Sequence, residues 1–138
     1  MPSPRAFKYY NNMIKQTFDL PQPPSANRYW RKTRAGRIYI GEDGIAYRRL
    51  VGKLLMINGY KPLEDARIGM DLIYFPPLRG GLDLDNISKA LWDALEMARL
   101  FNNDKQIDDY RQRRAGRFER GLVRVTVWPD PEPCHARP

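Results

Sequence analysis

Two aspartates separated by a single leucine are the residues of this sequence best suited to chemistry. Asp83 and Asp85 directly precede a segment with helical apolar spacing, so they lie at the mouth of a predicted helix. In extended chain their carboxylates point to the same side, with Cα atoms roughly 6–7 Å apart. Adjacent carboxylates repel each other unless a cation lies between them or one is protonated. A hard divalent cation such as Mg²⁺, which prefers oxygen ligands, would relieve this repulsion.

Helix capping is the simpler interpretation of these acids. Aspartate is a preferred N-cap residue, and Asp85 stands directly before Asn86, where the predicted helix begins. Capping by Asp85 still leaves Asp83 unexplained. A calcium-binding EF-hand loop is excluded by the residues at its fifth, sixth and twelfth positions, which are Ile87, Ser88 and Ala94.

A convincing metal site needs a third acid, and the segment after the helix offers Asp104, Asp108 and Asp109. If the strand after Asp104 pairs with the strand before Asp83, we expect both loops to open at the same end of the sheet. Lys89 lies one helical turn after Asp85 and can point to that end. Three carboxylates, a divalent ion and an ammonium group are typical of phosphoryl transfer. Exposed acids and a surface lysine are the alternative.

The residue counts exclude several classes of protein. The chain of 138 residues has the length of one domain. Its single cysteine and single histidine, Cys134 and His135, exclude a disulfide framework and a Cys/His zinc site within one chain. They also disfavour catalysis by a serine–histidine or cysteine–histidine pair. The sequence has no apolar run of about 18 residues and no signal-peptide core, so we expect a cytoplasmic protein without a membrane span.

The apolar periodicity predicts an α+β domain in which two helices pack on one face of a small mixed sheet. We predict strands over 15–20, 37–40, 66–75, 106–114 and 122–128, and helices over 42–58 and 86–99. The first helix should bury Ile45, Leu50, Leu54, Leu55 and Ile57, and the second Ile87, Ala90, Leu91, Ala94, Leu95 and Ala98. The proline-rich stretch 21–30 should hold no regular element. We expect an extension over 1–14, the domain over 15–128 and a disordered tail over 129–138.

Several motifs in a fixed order carry a more specific resemblance. DLDNISKALWDAL, residues 83–95, and NDKQIDDYR, residues 103–111, together resemble the hallmark of the RusA family of Holliday junction resolvases. LPQPPSANRYWR, residues 20–31, resembles the family's N-terminal pattern, and EDGIAYR, residues 42–48, resembles the start of its first helix. The resemblance extends from about residue 17 to residue 128.

The resemblance implies a RusA-like α+β homodimer that binds four-way DNA junctions and nicks two opposed strands with Mg²⁺, or with Mn²⁺ in its place. It implies that Asp83, Asp85 and Asp104 are catalytic acids that bind the metal, and that Lys89 is an essential catalytic lysine. Asn86 matches the asparagine of the motif. The linker PPLRGG before the motif has one arginine where relatives can be richer in basic residues.

The distribution of charge fits such a substrate. Residues 1–60 contain eleven Lys and Arg against three Asp and Glu, which accounts for the whole net charge of +8. A basic surface suggests a nucleic-acid partner, although many basic proteins have none. Tyr29 and Trp30 would stack on unpaired bases or belong to the core. The basic stretch 110–120 fits phosphate contacts or a solvated strand face. DNA contacts are predicted for Asn27, Arg28, Lys32, Arg34, Arg37 and Asn86.

Two other functions fit the residues. A non-enzymatic basic DNA-binding protein would use the acids as caps and as solubilising charge. A related nuclease would act on other branched DNA, such as forks or flaps. Cleavage that needs Mg²⁺ and stops with a chelator separates an enzyme from the binding protein, and relative rates on junctions and flaps separate the two nucleases.

Overall fold

The structure, a computed structural model, describes residues 15–130 and 137–138. The predicted extension over 1–14 and most of the predicted disordered tail, including Cys134 and His135, lie outside the described residues. The division into extension, domain and tail therefore stays a prediction. In chain order the described elements are β1 (Gln16–Pro21), α1 (Ala26–Tyr29), β2 (Trp30–Lys32), β3 (Ile38–Ile40), α2 (Glu42–Ile57), β4 (Ile68–Phe75), α3 (Leu84–Met97), a 3₁₀ turn (Asp104–Gln106), β5 (Ile107–Arg114) and β6 (Leu122–Pro129).

Four of these strands form one mixed sheet in the order β1–β6–β4–β5. β4 runs parallel to β5 and antiparallel to β6, and β6 is antiparallel to β1. Alternate side chains of β4 are fully buried, as strand periodicity predicts: Ile68, Met70, Leu72 and Tyr74. The α+β class and the mixed sheet are therefore confirmed.

Both long helices pack on this buried face of the sheet. α3 buries Ile87, Ala90, Leu91, Ala94 and Leu95 in one core with the inner residues of β4 and α2. The predicted apolar face of α3 is confirmed at these five positions, and Ala98 is partly buried. Within residues 15–130 and 137–138, no helix combines the length and the apolar character that a membrane crossing requires.

The predicted inner face of α2 is wrong at most positions. Ile45, Leu50 and Ile57 are 41%, 42% and 73% exposed. The buried residues are instead Gly44, Tyr47, Val51 and Leu55, spaced by three, four and four. A Cβ at position 44 would lie 2.5 Å from the carbonyl oxygen of Tyr29, so glycine allows α1 to approach this closely. A search for large aliphatic residues misses a helix face that is built on glycine and tyrosine.

The proline-rich segment 21–30 contains one regular turn, contrary to the prediction. The carbonyl oxygen of Ser25 accepts from the amides of Arg28 and Tyr29 at 2.9 and 2.8 Å. All prolines of the segment precede this turn, so they remove none of its donors. The chain then enters β2, which pairs with β3 in a small antiparallel hairpin.

β4, α3 and β5 form a strand–helix–strand unit, and its direction determines where the loops lie. The chain leaves β4 at Phe75, returns along α3 and enters β5 at Ile107, which pairs with Ile68 at the start of β4. Because β4 and β5 are parallel, the segment before α3 and the segment after it lie at opposite ends of the sheet.

Candidate active site

Asp83 and Asp85 lie at the amino-terminal end of α3. Asp83, with φ −71° and ψ 148°, is the N-cap residue, and Asp85 belongs to the first helical turn. The assignment of Asp85 as the N-cap is therefore wrong. Asp83 is extended as expected, whereas Asp85 is helical. The Asp83 carboxylate makes no capping hydrogen bond. Capping therefore accounts for neither acidic side chain.

Leu82, the residue before Asp83, is held at both of its backbone polar groups. Its amide donates to the Tyr74 hydroxyl at 3.1 Å, and its carbonyl oxygen accepts from Arg114 Nη2 at 2.9 Å. Tyr74 is fully buried near the end of β4, and Arg114 is the last residue of β5. Residues of the sheet therefore set the position at which α3 begins.

Arg117 supports the linker between β4 and α3. Its Nη1 donates to the carbonyl oxygens of Pro77 and Gly80 at 2.7 and 2.9 Å. Gly80 has φ 77°, in the left-handed region that favours glycine. Arg114 and Arg117 belong to the stretch for which phosphate contacts and a solvated face were the two predicted alternatives. Both are exposed, and both also hold the backbone that leads to Asp83.

The two carboxylates are not part of the ion pairs of the described chain. Those pairs join Arg48 to Asp93, Arg67 to Asp108, Arg113 to Asp71 and Arg124 to Asp19. Asp83 and Asp85 are exposed, at a helix end where the dipole favours negative charge. They present oxygen ligands to solvent, and these are the ligands that Mg²⁺ prefers.

Asp104 lies at the other end of α3 from this pair, contrary to the expectation that the two loops open together. β4 and β5 do pair, but in parallel, which separates the two loops. The 14 residues of α3 alone span roughly 21 Å. Within residues 15–130 and 137–138, no three His, Cys, Asp or Glu side chains form a group suited to a metal ion. One described chain therefore does not assemble Asp83, Asp85 and Asp104 around one ion.

The turn that carries Asp104 is anchored by a buried glutamine. Gln106 is 6% exposed, and its Oε1 accepts from the amides of Asn102 and Asn103 at 2.8 and 2.7 Å. Its Nε2 donates to two carbonyl oxygens of the loop before β4, both at 2.7 Å. Gln106 was not among the predicted site residues, although a glutamine three residues after Asn103 is the signal of a capping box.

The other two candidate acids, Asp108 and Asp109, have different surroundings. Asp108 accepts two hydrogen bonds from Arg67, and these bonds hold the pKa of its carboxyl below its usual range. Asp109 is exposed on β5. Asp108 is therefore engaged in an ion pair that joins β5 to the start of β4.

Lys89 extends from α3 towards the β2–β3 hairpin, where its ammonium lies 5.0 Å from the centroid of the Trp30 ring. A groove of about 350 Å³ at this place is lined by Ala26, Asn27, Trp30, Arg31, Lys32, Ile38 and Lys89. Two residues predicted to contact DNA, Asn27 and Lys32, therefore share a surface with Lys89. The others lie nearby in the chain: Arg28 is exposed on α1, Arg34 and Arg37 are exposed in the hairpin loop, and Asn86 is half-buried on α3.

Tyr29 belongs to the core, which decides between the two interpretations of this ring. Its side chain is fully buried, and its hydroxyl donates to Asp93 on α3. Burial raises the pKa of Tyr29, and the hydrogen bond to Asp93 raises it further. Arg48 on α2 donates to the Tyr29 hydroxyl at 3.3 Å and to Asp93 Oδ2 at 2.8 Å. This network joins α1, α2 and α3 beside Lys89, and no sequence pattern predicted it.

Relatives of known name match most of the chain. A protein-family model described as endodeoxyribonuclease RusA matches residues 21–127. The crossover junction endodeoxyribonuclease rusA of Enterobacteria phage HK97 is 33% identical over 115 residues, which cover 83% of this chain and 95% of the relative. The protein of the same name from Escherichia coli strain K12 is 35% identical over 119 residues, with coverage of 83% and 95%. The phage 82 protein is 38% identical over 113 residues, with coverage of 78% and 89%.

These matches confirm the resemblance that the acidic and basic motifs carry. The region that matches the family model includes the acidic pair, Lys89, Asp104 and the β2–β3 hairpin. The chain therefore belongs to the endodeoxyribonuclease RusA family.

Proposed function

We propose that this chain is a structure-specific endodeoxyribonuclease that resolves Holliday junctions by paired, symmetric nicks during DNA recombination and repair. One observation carries this assignment: relatives named crossover junction endodeoxyribonuclease are 33% to 38% identical to the chain over most of its length. The exposed carboxylates of Asp83 and Asp85 beside a basic groove support it. Action on bacterial or phage DNA would place the protein in the bacterial cytoplasm.

Asp83 and Asp85 would hold a divalent ion, with Mg²⁺ preferred and Mn²⁺ as a substitute. Two exposed carboxylates fit Mg²⁺, because proteins bind this ion through one or two carboxylates and leave other positions to water and phosphate. When bound, such an ion activates water for attack on phosphorus and offsets the charge that develops on the phosphate. The chain itself fixes the pair in place through the two hydrogen bonds on Leu82.

Lys89 would add positive charge where the scissile phosphate becomes more negative, which lowers the barrier to cleavage. Asn86 would contact the DNA from the first turn of the same helix. The exposed residues of α1 and the hairpin would bind the DNA backbone without reading its sequence: Asn27, Arg28, Lys32, Arg34 and Arg37.

A symmetric homodimer would supply the third carboxylate. Paired nicks related by a twofold axis need two equivalent sites, which a C2 dimer provides from one sequence. β5 is an edge strand of the sheet. Antiparallel pairing of two β5 edges would place Asp104, just before β5, beside the end of the partner's β5, where Arg114 holds Leu82. We infer that Asp104 completes the site of the partner subunit.

A cleavage assay on a mobile four-way junction tests the proposed activity. We expect nicks in two opposed strands with Mg²⁺ and none with a chelator. Junction binding without nicks at any Mg²⁺ concentration would favour the non-enzymatic DNA-binding protein. Faster cleavage of flaps or forks than of junctions would favour a nuclease for other branched DNA.

Substitution of the acidic pair separates chemistry from binding in the same assay. Asp83→Asn and Asp85→Asn should each abolish nicking, because each removes a charged ligand of the ion. Junction binding should persist or tighten, because a negative charge that faces phosphate has been removed. Wild-type nicking rates in both variants would exclude the pair from the active site.

A further inference from the structure

Lys89 stands on one face of α3 between two acids. Asp85 precedes it by four residues and Asp93 follows it by four, a spacing that brings the three side chains to the same side of the helix. Neither acid pairs with Lys89 among the ion pairs of the described chain. The ammonium lies instead over the indole of Trp30, 5.0 Å from the ring centroid. The surroundings of Asp93 and Trp30 account for this position.

Asp93 is already occupied by two residues from other elements. Its Oδ2 accepts hydrogen bonds from the Tyr29 hydroxyl and from Arg48, whose Nε and Nη2 both lie 2.8 Å away. The side chains of Arg48 and Asp93 are only 22% and 23% exposed, so solvent screens their charges weakly. An Asp93 carboxylate without Arg48 would attract Lys89 towards the carboxyl end of α3, away from Asp83 and Asp85.

Trp30 is itself fixed against the core. Its ring centroid lies 4.3 Å from that of Tyr29, with the two planes tilted by 50°. Tyr29 is fully buried and bonded to Asp93, so the indole has a defined place above α3. Since Lys89 covers the indole, an unpaired base stacks on that side of the ring only if it displaces the lysine.

We propose that Trp30 is a positioning residue for Lys89, and that it holds the ammonium in the groove between α3 and the hairpin by a cation–π contact. Tyr29 and Arg48 assist, because they keep Asp93 from drawing the ammonium away. Arg31 and Lys32 line the same groove, so a DNA phosphate that enters it meets three cations. The inference rests on the proposed role of Lys89 towards a DNA phosphate.

Side-chain NMR of the DNA-free protein reads the contact directly. An aromatic ring current shifts protons above its face upfield, so the Lys89 ε protons, identified by their loss in Lys89→Ala, should resonate upfield of other lysines. Trp30→Leu should abolish this shift, and Trp30→Phe should retain part of it. Arg48→Met should also abolish it, because the freed Asp93 competes for the ammonium. Asp93→Asn added to Arg48→Met should restore it.

Single-turnover nicking of a four-way junction at saturating protein measures the consequence. Trp30→Leu should lower the rate about three- to tenfold while the junction Kd stays within about twofold, since one exposed cation–π contact is lost. Arg48→Met should lower the rate similarly, and the added Asp93→Asn should recover it. If the ion pair between Arg48 and Asp93 only stabilised the fold, no such recovery would be expected, because Arg48→Met/Asp93→Asn retains neither charged partner.

Several outcomes would overturn the positioning role. If the Lys89 ε protons show no upfield shift, or if the shift is unchanged in Trp30→Leu, the contact between Lys89 and Trp30 is refuted. Equal losses of junction binding and nicking in Trp30→Leu would assign Trp30 to the DNA surface instead. If Trp30→Leu does not fold, the test uses Trp30→Phe and the comparison of Arg48→Met with Arg48→Met/Asp93→Asn. Failure of the added Asp93→Asn to restore the upfield shift refutes the inference. A wild-type chain that never nicks junctions refutes the nuclease proposal, while the NMR shifts still report on Trp30 and Lys89.

Discussion

Asp104 offers the sharpest test of how the active site is assembled, because the topology separates it from the acidic pair of its own chain. One Mg²⁺ holds its ligands at about 2 Å, whereas α3 places roughly 21 Å between its two ends. If Asp104 binds the ion, it does so beside the partner's Asp83 and Asp85. A heterodimer of an Asp85→Asn subunit and an Asp104→Asn subunit should then have one complete site and one site that lacks two acids.

The number of intact sites gives the expected rates. This heterodimer should nick one strand at about half the wild-type rate and seldom complete the paired reaction. Each single-variant homodimer lacks one acid in both sites. Its nicking rate should fall at least about 10–100-fold. A loss of this size is usual even when only a residue that hydrogen-bonds a metal ligand is replaced. The matched control joins a wild-type subunit to an Asp85→Asn/Asp104→Asn subunit, and it should be as slow as those homodimers because each of its sites lacks one acid.

Co-expression with two affinity tags and tandem purification isolates each heterodimer, and labels on different junction strands distinguish single from paired nicks. If the first heterodimer is inactive and the control is half-active, Asp104 acts within its own chain and the reasoning from strand direction is refuted. If the chain resolves junctions but yields no heterodimer at micromolar concentration, the dimer itself is refuted.

Three further predictions concern the surroundings of the site. Gln106→Leu should lower the free energy of unfolding by about 3–5 kcal/mol in chemical denaturation, because four hydrogen bonds of its side chain are lost, one of them buried and three part-buried; unchanged stability would contradict the anchoring of the Asp104 turn. Arg117→Ala should slow nicking at unchanged junction affinity because the linker loosens, whereas Arg120→Ala, in the exposed turn before β6, should not slow it; a loss of affinity with Arg117→Ala would assign that residue to the DNA surface. Neutralising Lys32 and Arg34 together should flatten the salt dependence of junction binding, and an unchanged slope would exclude the hairpin from that surface.

Local periodicity made part of the fold predictable. The alternation of β4 and the three-and-four spacing of α3 each place apolar residues on one side, and both faces are buried as expected. In α2, by contrast, the apolar spacing does not predict the inner face, because that face is determined by contacts with the preceding segment of the chain. Gly44 admits the backbone of α1, and Tyr47 donates to the carbonyl oxygen of Pro21 at 2.8 Å. The apolar periodicity of α2 does not identify Gly44 as a contact residue. The contact is with α1, and this turn was not predicted.

In the candidate site too, features set by residue spacing were predictable, whereas contacts between residues far apart in the sequence were not. The acidic pair at the mouth of α3 and the nearby lysine follow from spacing alone. The place of Asp104 also has a sequence signal, because a strand–helix–strand order favours parallel strands, whose successive loops open at opposite ends. The bonds that hold Leu82 come from Tyr74 and Arg114, 8 and 32 residues away, and Arg48 reaches Asp93 across 45 residues. Such contacts depend on the assembled sheet and helices.

The net charge of +8 overstates how many cations are free to bind DNA. Arg48, Arg67, Arg113 and Arg124 are paired with acids, and Arg114 and Arg117 donate to backbone carbonyl oxygens. The cations of α1 and the hairpin, by contrast, take no part in the ion pairs of the described chain and lie beside the groove that contains Lys89. Because each phosphate contact adds about one unit to the salt slope, this slope should reflect the hairpin cations rather than all 24 basic residues. The DNA is therefore expected to cross the amino-terminal end of α3, where the acidic pair lies, and not the arginine-rich strand β5.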